Sequence, residues 1–412
     1  MRAWSAPVVP QLPGSGTAPC LWDTPSAGLI EASAERTARL YVCGITPYDA
    51  THLGHASSYL AYDTLQRVWL DAGYEVHYAQ NVTDVDDPLL ERATATGVDW
   101  VELAASQVEL FRSDMERLSI LPPEDYVAVT EVIGPIADAV ALLIERGVAY
   151  TVATPDSAAG DDVYFDVRAA ADDVWHLGAE SGLDEATMAA FFAERGGDPD
   201  RAGKRDAFDP LLWRAARDGE PSWESPVGQG RPGWHIECSV IALQHLGSDF
   251  TVQGGGSDLV FPHHDLSAGH AAALSGRPLA KVFSHAGMVA YEGTKMSKSL
   301  GNLVLVSRLA ADGADPSAIR LAILANHYRS DWEWHDEHLV LADRRLGTWR
   351  SAFATDAASG ASAVELLQAM RVRLADDLDT PGAIALVDAA ATTGVDDADL
   401  ARSAVDALLG VR

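Results

Sequence analysis

A strand, loop, helix and second strand near the start of the chain restrict its fold more than any other feature. Residues 39–45 form an apolar run typical of a buried strand, and a second strand is predicted near residues 75–82. Between them, four apolar side chains recur at helical spacing before Gly73: Tyr62, Leu65, Val68 and Trp69. This βαβ pattern requires a parallel sheet, because the crossover returns the chain to the same end of the sheet. We therefore predict an α/β protein whose ligands bind at the carboxyl ends of the strands, where the loop 43–55 lies.

Composition and periodicity divide the rest of the chain. Residues 1–36 are rich in Pro, Gly, Ser and Ala without a period, and we predict that they form an N-terminal arm. Residues 37–121 and 209–305 carry the strand patterns of one nucleotide-binding domain, split by an insertion at the acidic, glycine-containing stretch 122–208. Helical spacing dominates residues 306–412, which predicts a C-terminal helical bundle.

The charge of the chain excludes one class of partner. Thirty basic and sixty acidic residues give a net charge of −30, so the average field of the protein repels nucleic acids. The sequence has neither the apolar stretch of a signal peptide nor one long enough to span a membrane, and we expect a cytoplasmic protein with no membrane partner. Three cysteines cannot form a closed disulfide framework, so any cysteine chemistry is local.

Two of the four lysines in the chain lie close together. Lys295 and Lys298 occur in the sequence KMSKS, which is flanked by Gly293 and Gly301. We predict that this segment is a mobile loop that brings both cations onto a phosphate chain, where they stabilise the charge of a departing pyrophosphate. An ordinary solvated basic loop is the alternative.

A pair of histidines lies directly before the predicted helix. His52 and His55, in the sequence HLGH, place two imidazoles beside the backbone N–H groups of the first helical turn, where an anion binds. Gly54 lets a phosphate or a planar base approach closely. We predict that both histidines stabilise charge on a phosphate, and a purely structural histidine pair is the alternative.

Cys43, Cys238 and His263 each lie near the end of a predicted strand or helix at the same edge of the sheet. Thiolate and imidazole ligands select zinc, and three protein ligands leave the open fourth position of a catalytic site. The alternative is that both cysteines are small buried hydrophobic residues. We predict a zinc site formed by these three side chains.

These features together resemble a known family. The HxGH sequence at 52–55, the KMSKS sequence at 295–299 and the parallel sheet resemble the class I aminoacyl-tRNA synthetases, which use these motifs to activate an amino acid with ATP. The sequences GWHIEC, ending at Cys238, and GGGSDLVFPHH, containing His263, resemble the zinc-ligand regions of cysteinyl-tRNA synthetase, as does Cys43 before the HxGH motif. The resemblance implies a class I Rossmann fold with an inserted connective domain and a stem-contact-like segment before the bundle. It also implies one Zn²⁺ that binds the substrate thiolate, and Mg²⁺ bound with ATP.

Departures from cysteinyl-tRNA synthetase point to one of its relatives. Ser267 replaces a glutamate that is the fourth zinc ligand of the synthetase, which leaves three protein ligands, with Asp265 or His264 as alternative ligands. The sequences ITPYDATHLGH at 45–55 and ERGGDP at 194–199 are similar to the ligases of mycothiol biosynthesis. Those enzymes join cysteine to the amine of glucosaminyl inositol (GlcN-Ins) through a cysteinyl-adenylate. The resemblance implies the same ATP-dependent, AMP-forming ligation for this chain.

The resemblance also assigns site residues. Catalytic roles are expected for His52, His55, Lys295 and Lys298. The ATP and adenylate site is expected at Cys43, Gly44, Ile45, Thr46, Gly54, Ser58, Asn81, Val82, Thr83, Trp234, Gly256, Ser257, Asp258 and Val289. The acceptor sugar is expected at Glu194, Arg195, Gly196, Gly197, Asp198 and Pro199. Turn formation by Asn81 and Thr83, and mere solubility for the acidic residues, are the alternatives.

The charge of the C-terminal segment favours a ligase over a tRNA synthetase. After Trp334 the chain has seven arginines, no lysine and thirteen acidic residues, whereas the binding of tRNA phosphates requires clustered cations. A cysteinyl-tRNA synthetase and a non-catalytic sensor of cysteine or adenylate are the alternatives, and the intact HxGH and KMSKS motifs argue against the sensor. We expect ATP, L-cysteine and GlcN-Ins as substrates, no tRNA, and a monomer.

Overall fold

The structure is a computed structural model and describes residues 1–48, 51–296 and 302–412. Its strands are β1 (Cys20–Asp23), β2 (Gly28–Glu31), β3 (Thr37–Val42), β4 (Glu75–Val82), β5 (Asp125–Ala128), β6 (Ala149–Val152), β7 (Asp162–Phe165), β8 (Leu211–Ala215), β9 (Gly230–Pro232), β10 (Phe250–Gly256), β11 (Ala280–Ala286), β12 (Val289–Tyr291), β13 (Thr294–Lys295) and β14 (Trp332–Trp334). Its α-helices are α1 (Leu53–Asp71), α2 (Asp87–Thr96), α3 (Trp100–Arg117), α4 (Ile133–Glu145), α5 (Glu185–Glu194), α6 (Trp234–Leu246), α7 (Asp265–Ser275), α8 (Val306–Ala311), α9 (Pro316–Leu324), α10 (Asp336–Ala352), α11 (Ala363–Ala375), α12 (Thr380–Thr393) and α13 (Ala398–Leu409). Within the described ranges, none of these helices has the length and apolar character needed to cross a membrane.

A five-stranded sheet in the order β11-β10-β3-β4-β5 forms the centre of the protein, and all of its neighbouring strands are parallel. The predicted α/β fold is therefore confirmed. Strand β4 has the predicted bounds, whereas β3 covers 37–42 in place of 39–45. The chain after Val42 leaves the sheet and forms the loop that was predicted to bind ligands.

Helix α1 crosses from β3 to β4 and is buried along most of its length. It begins after His52, whose Nδ1 accepts a hydrogen bond from the backbone N–H of Gly54 at 3.1 Å. This bond satisfies one of the N–H groups that have no partner inside a helix. The helix ends before Gly73, which has a φ of +90° that a glycine adopts without strain. The buried face of α1 thus anchors the loop that precedes it.

A second, antiparallel sheet in the order β6-β7-β8-β9 is formed by strands that lie, along the sequence, between β5 and β10 of the parallel sheet. Its extent differs from the prediction that residues 122–208 form the insertion. Strand β5 pairs with β4 in the parallel sheet, and β8 and β9 belong to the antiparallel sheet although they lie after residue 208. The prediction followed changes in composition, and the composition of a strand of three to five residues does not show which sheet it joins.

Residues 1–36, predicted as an irregular arm, contain the hairpin of β1 and β2. The segment before it packs on the parallel sheet. The indole of Trp4 is buried between the rings of Phe111 and Tyr126, and its Nε1 donates a hydrogen bond to Ile120 at 2.8 Å. The arm thus contributes to the core of the domain.

The C-terminal helices pack on α1 through a buried ionic cluster. Asp63 of α1 accepts a hydrogen bond from Arg67 at 2.7 Å and another from Arg320 of α9, and all three side chains are buried. Burial opposes the charge of Asp63, but Arg320 and Arg67 hold the pKa of this carboxyl below its usual value. Because a buried carboxylate needs such partners, the cluster fixes α9 against the helix that carries the predicted site.

Candidate active site

A cavity of about 560 Å³ opens at the carboxyl ends of β3, β10 and β11, above the N-terminus of α1. Its position is the one predicted for a ligand site in a parallel sheet. The cavity is lined by Val42, Cys43, Gly44, Ile45, Thr46, Tyr48, His52, Gly54, His55, Ser58, Tyr59, Gly255, Gly256, Asp258, Leu259, Gly287, Met288, Val289, Met296 and Leu303.

Most residues predicted to bind ATP or the adenylate line this cavity. Those that do are Cys43, Gly44, Ile45, Thr46, Gly54, Ser58, Gly256, Asp258 and Val289. Those that lie outside its lining, among the residues described, are Asn81, Val82, Thr83, Trp234 and Ser257. Lys295 ends β13 directly before the lining residue Met296, and Lys298 lies outside the described residues.

The two histidines of the HLGH sequence lie together at the N-terminus of α1. Their ring centroids are 4.0 Å apart, with an angle of 34° between the planes. A Cβ atom on Gly54 would lie 2.8 Å from His52 Cε1, so only glycine allows this packing without displacing the imidazole. The cavity is thus bordered by two imidazoles and the positive end of the α1 dipole, a combination that favours binding of a phosphate.

Asn81 and Thr83 hold the loop at the edge of the cavity from behind. Asn81 Oδ1 accepts hydrogen bonds from the Gly44 backbone N–H at 2.8 Å and from the Tyr41 hydroxyl at 3.2 Å. Asn81 Nδ2 donates to Thr83 Oγ1 at 3.0 Å, and the Thr83 backbone N–H donates to Ile45 at 3.0 Å. These two residues therefore position the loop after β3, and their own side chains support the cavity from outside its lining.

Cys43, Cys238 and His263 come together as predicted. Their ligand atoms all lie within 4.8 Å of one another, and all three side chains are buried. Burial and the neighbouring Cys238 raise the pKa of the Cys43 thiol. Although burial opposes it, Cys43 and His263 hold the pKa of Cys238 well below its usual value. Two soft sulfur donors and one imidazole form a donor set suited to zinc, with three protein ligands.

Neither alternative ligand joins this group among the described residues. The two carboxylate oxygens of Asp265 accept backbone hydrogen bonds from Gly178 and Ser181, each at 3.0 Å, so Asp265 holds a loop of the insertion. His264 Nε2 lies 3.3 Å from Cys43 Sγ, beside a ligand atom. Ser267 donates its hydroxyl to the backbone of His235 at 3.1 Å.

Two aromatic side chains cover the imidazole of His263. The Trp234 indole stacks on it with centroids 4.2 Å apart and an angle of 24°, and His235 Nδ1 lies 3.0 Å from His263 Nδ1. The other ring nitrogen of His263, Nε2, lies 3.3 Å from Cys238 Sγ. The ring is therefore held with Nε2 toward the sulfur ligand.

The ERGGDP segment approaches the site through its arginine. Arg195 donates hydrogen bonds to the carbonyl oxygens of Asp258, at 2.7 Å, and Phe261, at 2.6 Å, in the chain between the cavity and His263. Asp198 is engaged within the insertion, by Lys204 Nζ at 2.9 Å and by the Tyr164 hydroxyl. The segment therefore links the insertion to the backbone of the site.

Comparison with known proteins extends over the whole chain. Residues 29–344 match the family of class I (C) tRNA synthetase catalytic domains. A protein of Clavibacter michiganensis subsp. michiganensis, named L-cysteine:1D-myo-inositol 2-amino-2-deoxy-alpha-D-glucopyranoside ligase, is 65% identical over all of this chain and 98% of its own length. A protein of Thermobispora bispora with the same name is 60% identical, with both chains fully covered.

The chain belongs to this ligase family. The membership confirms the resemblance inferred from HLGH, KMSKS and ERGGDP. Solved structures confirm that this chain has the fold of the class I synthetases. Methionyl-tRNA synthetase of Mycobacterium tuberculosis in complex with methionyl-adenylate is similar with a TM-score of 0.64 at 18% identity, over 87% of this chain and 82% of that one. LeuRS of Agrobacterium radiobacter K84 is similar with a TM-score of 0.60 at 12% identity, over 91% and 84%.

The sequence prediction missed residues that lie beside the Cys43, Cys238 and His263 group. His264 Nδ1 lies 2.7 Å from His285 Nε2, and His285 Nδ1 lies 2.7 Å from Thr24 Oγ1. Burial lowers the pKa of both histidines, that of His285 to about 3, so both rings are neutral at neutral pH. The only signal in the sequence was the second histidine of the pair at 263–264, and nothing in it connects Thr24 to this site.

Two acidic residues outside the predicted site lie directly after β4 and Thr83. Asp86 caps α2 by accepting the Asp87 backbone N–H at 2.8 Å, and burial raises its pKa to about 6. Its neighbour Asp84 is bound by Thr130 through both the backbone N–H and the hydroxyl. Asp84 thus holds the segment that follows β5, whereas Asp86 caps helix α2.

Proposed function

We propose that this chain activates L-cysteine with ATP and transfers the cysteinyl group to the amine of GlcN-Ins, with release of pyrophosphate and AMP. The observation that carries this proposal is the position of Cys43, which lines the nucleotide cavity and also belongs to the Cys43, Cys238 and His263 group. A cysteine bound at that group by its sulfur has its carboxylate beside the cavity. Full-length relatives named for cysteine and an amino sugar as substrates support the same reaction.

Cysteine is selected at the group of two thiols and one imidazole. Cys43, Cys238 and His263 would hold Zn²⁺, which supplies a soft Lewis acid with an open position for the substrate thiolate when it is bound. A serine hydroxyl is a harder and less acidic ligand, so the site discriminates against serine without a second editing site. Trp234, stacked on His263, covers the ligand ring and orients it.

Adenylation takes place in the cavity, beside the N-terminus of α1. A carboxylate oxygen of cysteine forms a bond to the α-phosphorus of ATP, the bond from that phosphorus to the bridging oxygen breaks, and pyrophosphate leaves. His52, His55 and the positive end of the α1 dipole border the cavity and stabilise the charge on the phosphates. We assign Lys295 and Lys298 the same task on the pyrophosphate side, with Mg²⁺ bound to the phosphates of ATP.

Amide formation follows on the same carbonyl. The uncharged amine nitrogen of GlcN-Ins forms a bond to the cysteinyl carbon, the bond from that carbon to the AMP oxygen breaks, and the amine loses a proton to solvent. We propose that residues 194–199 border the acceptor side, because Arg195 ties this segment to Asp258 and Phe261. Asp198, bound to Lys204 and Tyr164, shapes the segment from within the insertion.

The test uses one zinc-loaded preparation with ATP and compares first cysteine with serine, and then GlcN-Ins with tRNA as the acceptor. We expect exchange of labelled pyrophosphate into ATP with cysteine and at least a hundredfold less with serine, since the sulfur is the selected atom, a contrast of about 3 kcal/mol. We then expect AMP and cysteinyl amide with GlcN-Ins and no transfer to tRNA. Cysteine-dependent exchange followed by transfer to tRNA alone would assign a cysteinyl-tRNA synthetase, and absence of exchange would leave only a sensor.

A further inference from the structure

A chain of hydrogen-bonding groups leads from Cys43 to the N-terminal hairpin. Cys43 Sγ lies 3.3 Å from His264 Nε2, and His264 Nδ1 lies 2.7 Å from His285 Nε2. His285 Nδ1 in turn lies 2.7 Å from the hydroxyl oxygen of Thr24. Cys43, His264 and His285 are buried, whereas Thr24 lies at the partly exposed end. This series of four groups thus connects Cys43, at the edge of the cavity, to the turn that follows β1.

The sulfur fixes the direction of these hydrogen bonds. A thiolate that binds a metal only accepts, so His264 must donate from Nε2 to Cys43 Sγ. A neutral imidazole has one N–H, which leaves His264 Nδ1 as an acceptor for His285 Nε2–H, and His285 Nδ1 as an acceptor in turn. Thr24 is the donor that completes the series, because its hydroxyl hydrogen rotates toward the free lone pair. Without that donor, nothing among these four groups holds His285 in the tautomer that His264 requires.

Gln253 converges on the same sulfur from the neighbouring strand. Its side-chain nitrogen lies 3.5 Å from Cys43 Sγ and 3.2 Å from His264 Nε2. Because an amide nitrogen only donates, a His264 Nε2 that donates to Cys43 cannot also accept from Gln253, and Gln253 then donates to the sulfur. This contact orients Cys43 but does not reach His285, so it does not replace the contribution of Thr24.

The hairpin holds Thr24 firmly in place. The Thr24 backbone N–H donates to the carbonyl oxygen of Phe283 at 2.9 Å, and the Phe283 N–H donates to Asp23 Oδ1 at 2.9 Å. Ser26 binds the other oxygen of Asp23 through its hydroxyl at 2.6 Å and its backbone N–H at 3.1 Å. The turn is therefore clamped to β11 two residues before His285, which places the Thr24 hydroxyl at the ring nitrogen.

We propose that Thr24 is a positioning residue for the metal site, acting through His285 and His264 to orient the Cys43 thiolate. The proposal rests on the zinc-binding part of the proposed function and assigns the N-terminal hairpin a role in it. Hydrogen-bond partners of metal ligands fix the orientation and basicity of those ligands, and their removal weakens metal binding by about ten- to a hundredfold. Thr24 is two groups removed from the ligand, so we expect the lower end of that range.

The experiment compares three substitutions of Thr24 and one control substitution, each in the full chain. Thr24→Val removes the hydroxyl at nearly constant shape, and Thr24→Ala does so should the valine protein be insoluble. Thr24→Ser restores a hydroxyl. Thr17→Val is the matched control, because it makes the same change at an exposed threonine of the N-terminal segment, outside the clamped turn. The probes are Zn²⁺ alone, in competition with a chromophoric chelator, and Co²⁺ alone, through the thiolate-to-cobalt absorption band.

We expect Thr24→Val to weaken zinc binding about tenfold and to shift the cobalt band, while Thr24→Ser and Thr17→Val stay within about twofold of the wild type. Unchanged zinc binding in Thr24→Val overturns the proposal, as does an equal loss in Thr17→Val or a failure of serine to restore binding. These metal readouts do not depend on the acceptor. A wild-type protein that binds zinc but does not ligate cysteine to GlcN-Ins therefore contradicts the proposed function alone, whereas one that binds no zinc contradicts both.

Discussion

The indole of Trp234 lies against the imidazole of His263, with ring centroids 4.2 Å apart and an angle of 24°. Because Trp234 lies outside the lining of the nucleotide cavity, this stacking affects the cysteine side of the site. An aromatic pair contributes about 0.5–1.5 kcal/mol, so we expect Trp234→Leu to raise the KM for cysteine in pyrophosphate exchange by about two- to tenfold. The KM for ATP should stay unchanged, and Trp234→Phe should retain most of the wild-type affinity. Equal KM values for cysteine in the leucine variant and the wild type would refute this role.

Gly44 has no room for a side chain. A Cβ atom there would lie 1.7 Å from the carbonyl oxygen of Asn81, a backbone atom that cannot move without the strand behind it. We therefore expect Gly44→Ala to displace the loop after β3 and to lower cysteine-dependent pyrophosphate exchange at least a hundredfold, a loss of about 3 kcal/mol in transition-state binding. Gly347→Ala in α10 is the control, because no atom lies within 4 Å of the added carbon. Activity in Gly44→Ala equal to that of the control would contradict the tight packing.

A substitution of Asp265 tests whether this residue is a structural carboxylate or a metal ligand. Its two oxygens accept the backbone N–H groups of Gly178 and Ser181, and an asparagine at this position retains one acceptor only. We expect Asp265→Asn to lower the free energy of unfolding in urea by about 1–3 kcal/mol, since one buried N–H loses its partner. Zinc content per chain, measured by atomic absorption, should stay equal to the wild type. Loss of zinc without loss of stability would identify Asp265 as a ligand.

The parts of the fold that the sequence predicted are those that depend on local pattern. The bounds of β4 were correct because apolar residues and the preceding glycine mark them, and the helical spacing of α1 identified its buried face. The extent of the insertion was not predicted correctly, because β5 and β8 are short apolar runs and only their hydrogen-bond partners assign them to a sheet. Local sequence pattern therefore predicts a strand or helix but not the strand that it pairs with in a sheet.

The same distinction applies to the site. Cys43, Cys238 and His263 were grouped because sequence motifs shared with a known family mark each of them. Thr24 lies 261 residues from His285, in a segment without any motif, and its contact with the ring follows only from how the hairpin is clamped to β11. The groups proposed to orient Cys43 thus required the structure, whereas the three residues of the Cys43, Cys238 and His263 group did not.

Asp114 of α3 is fully buried, and burial raises its pKa to about 6, although Arg117 donates a hydrogen bond to it at 3.1 Å. The folded protein therefore retains this proton up to about pH 6, whereas the unfolded chain loses it near pH 4, so stability falls as the pH rises between these values and stays level above them. Asp114→Asn removes this dependence. The free energy of unfolding of the variant minus that of the wild type should be about 1–2 kcal/mol larger at pH 7.5 than at pH 4.5, measured by urea unfolding. Glu116→Gln, at an exposed position on the same helix, should show no such difference. The same value at both pH values for Asp114→Asn would show that the charge of Asp114 does not oppose folding.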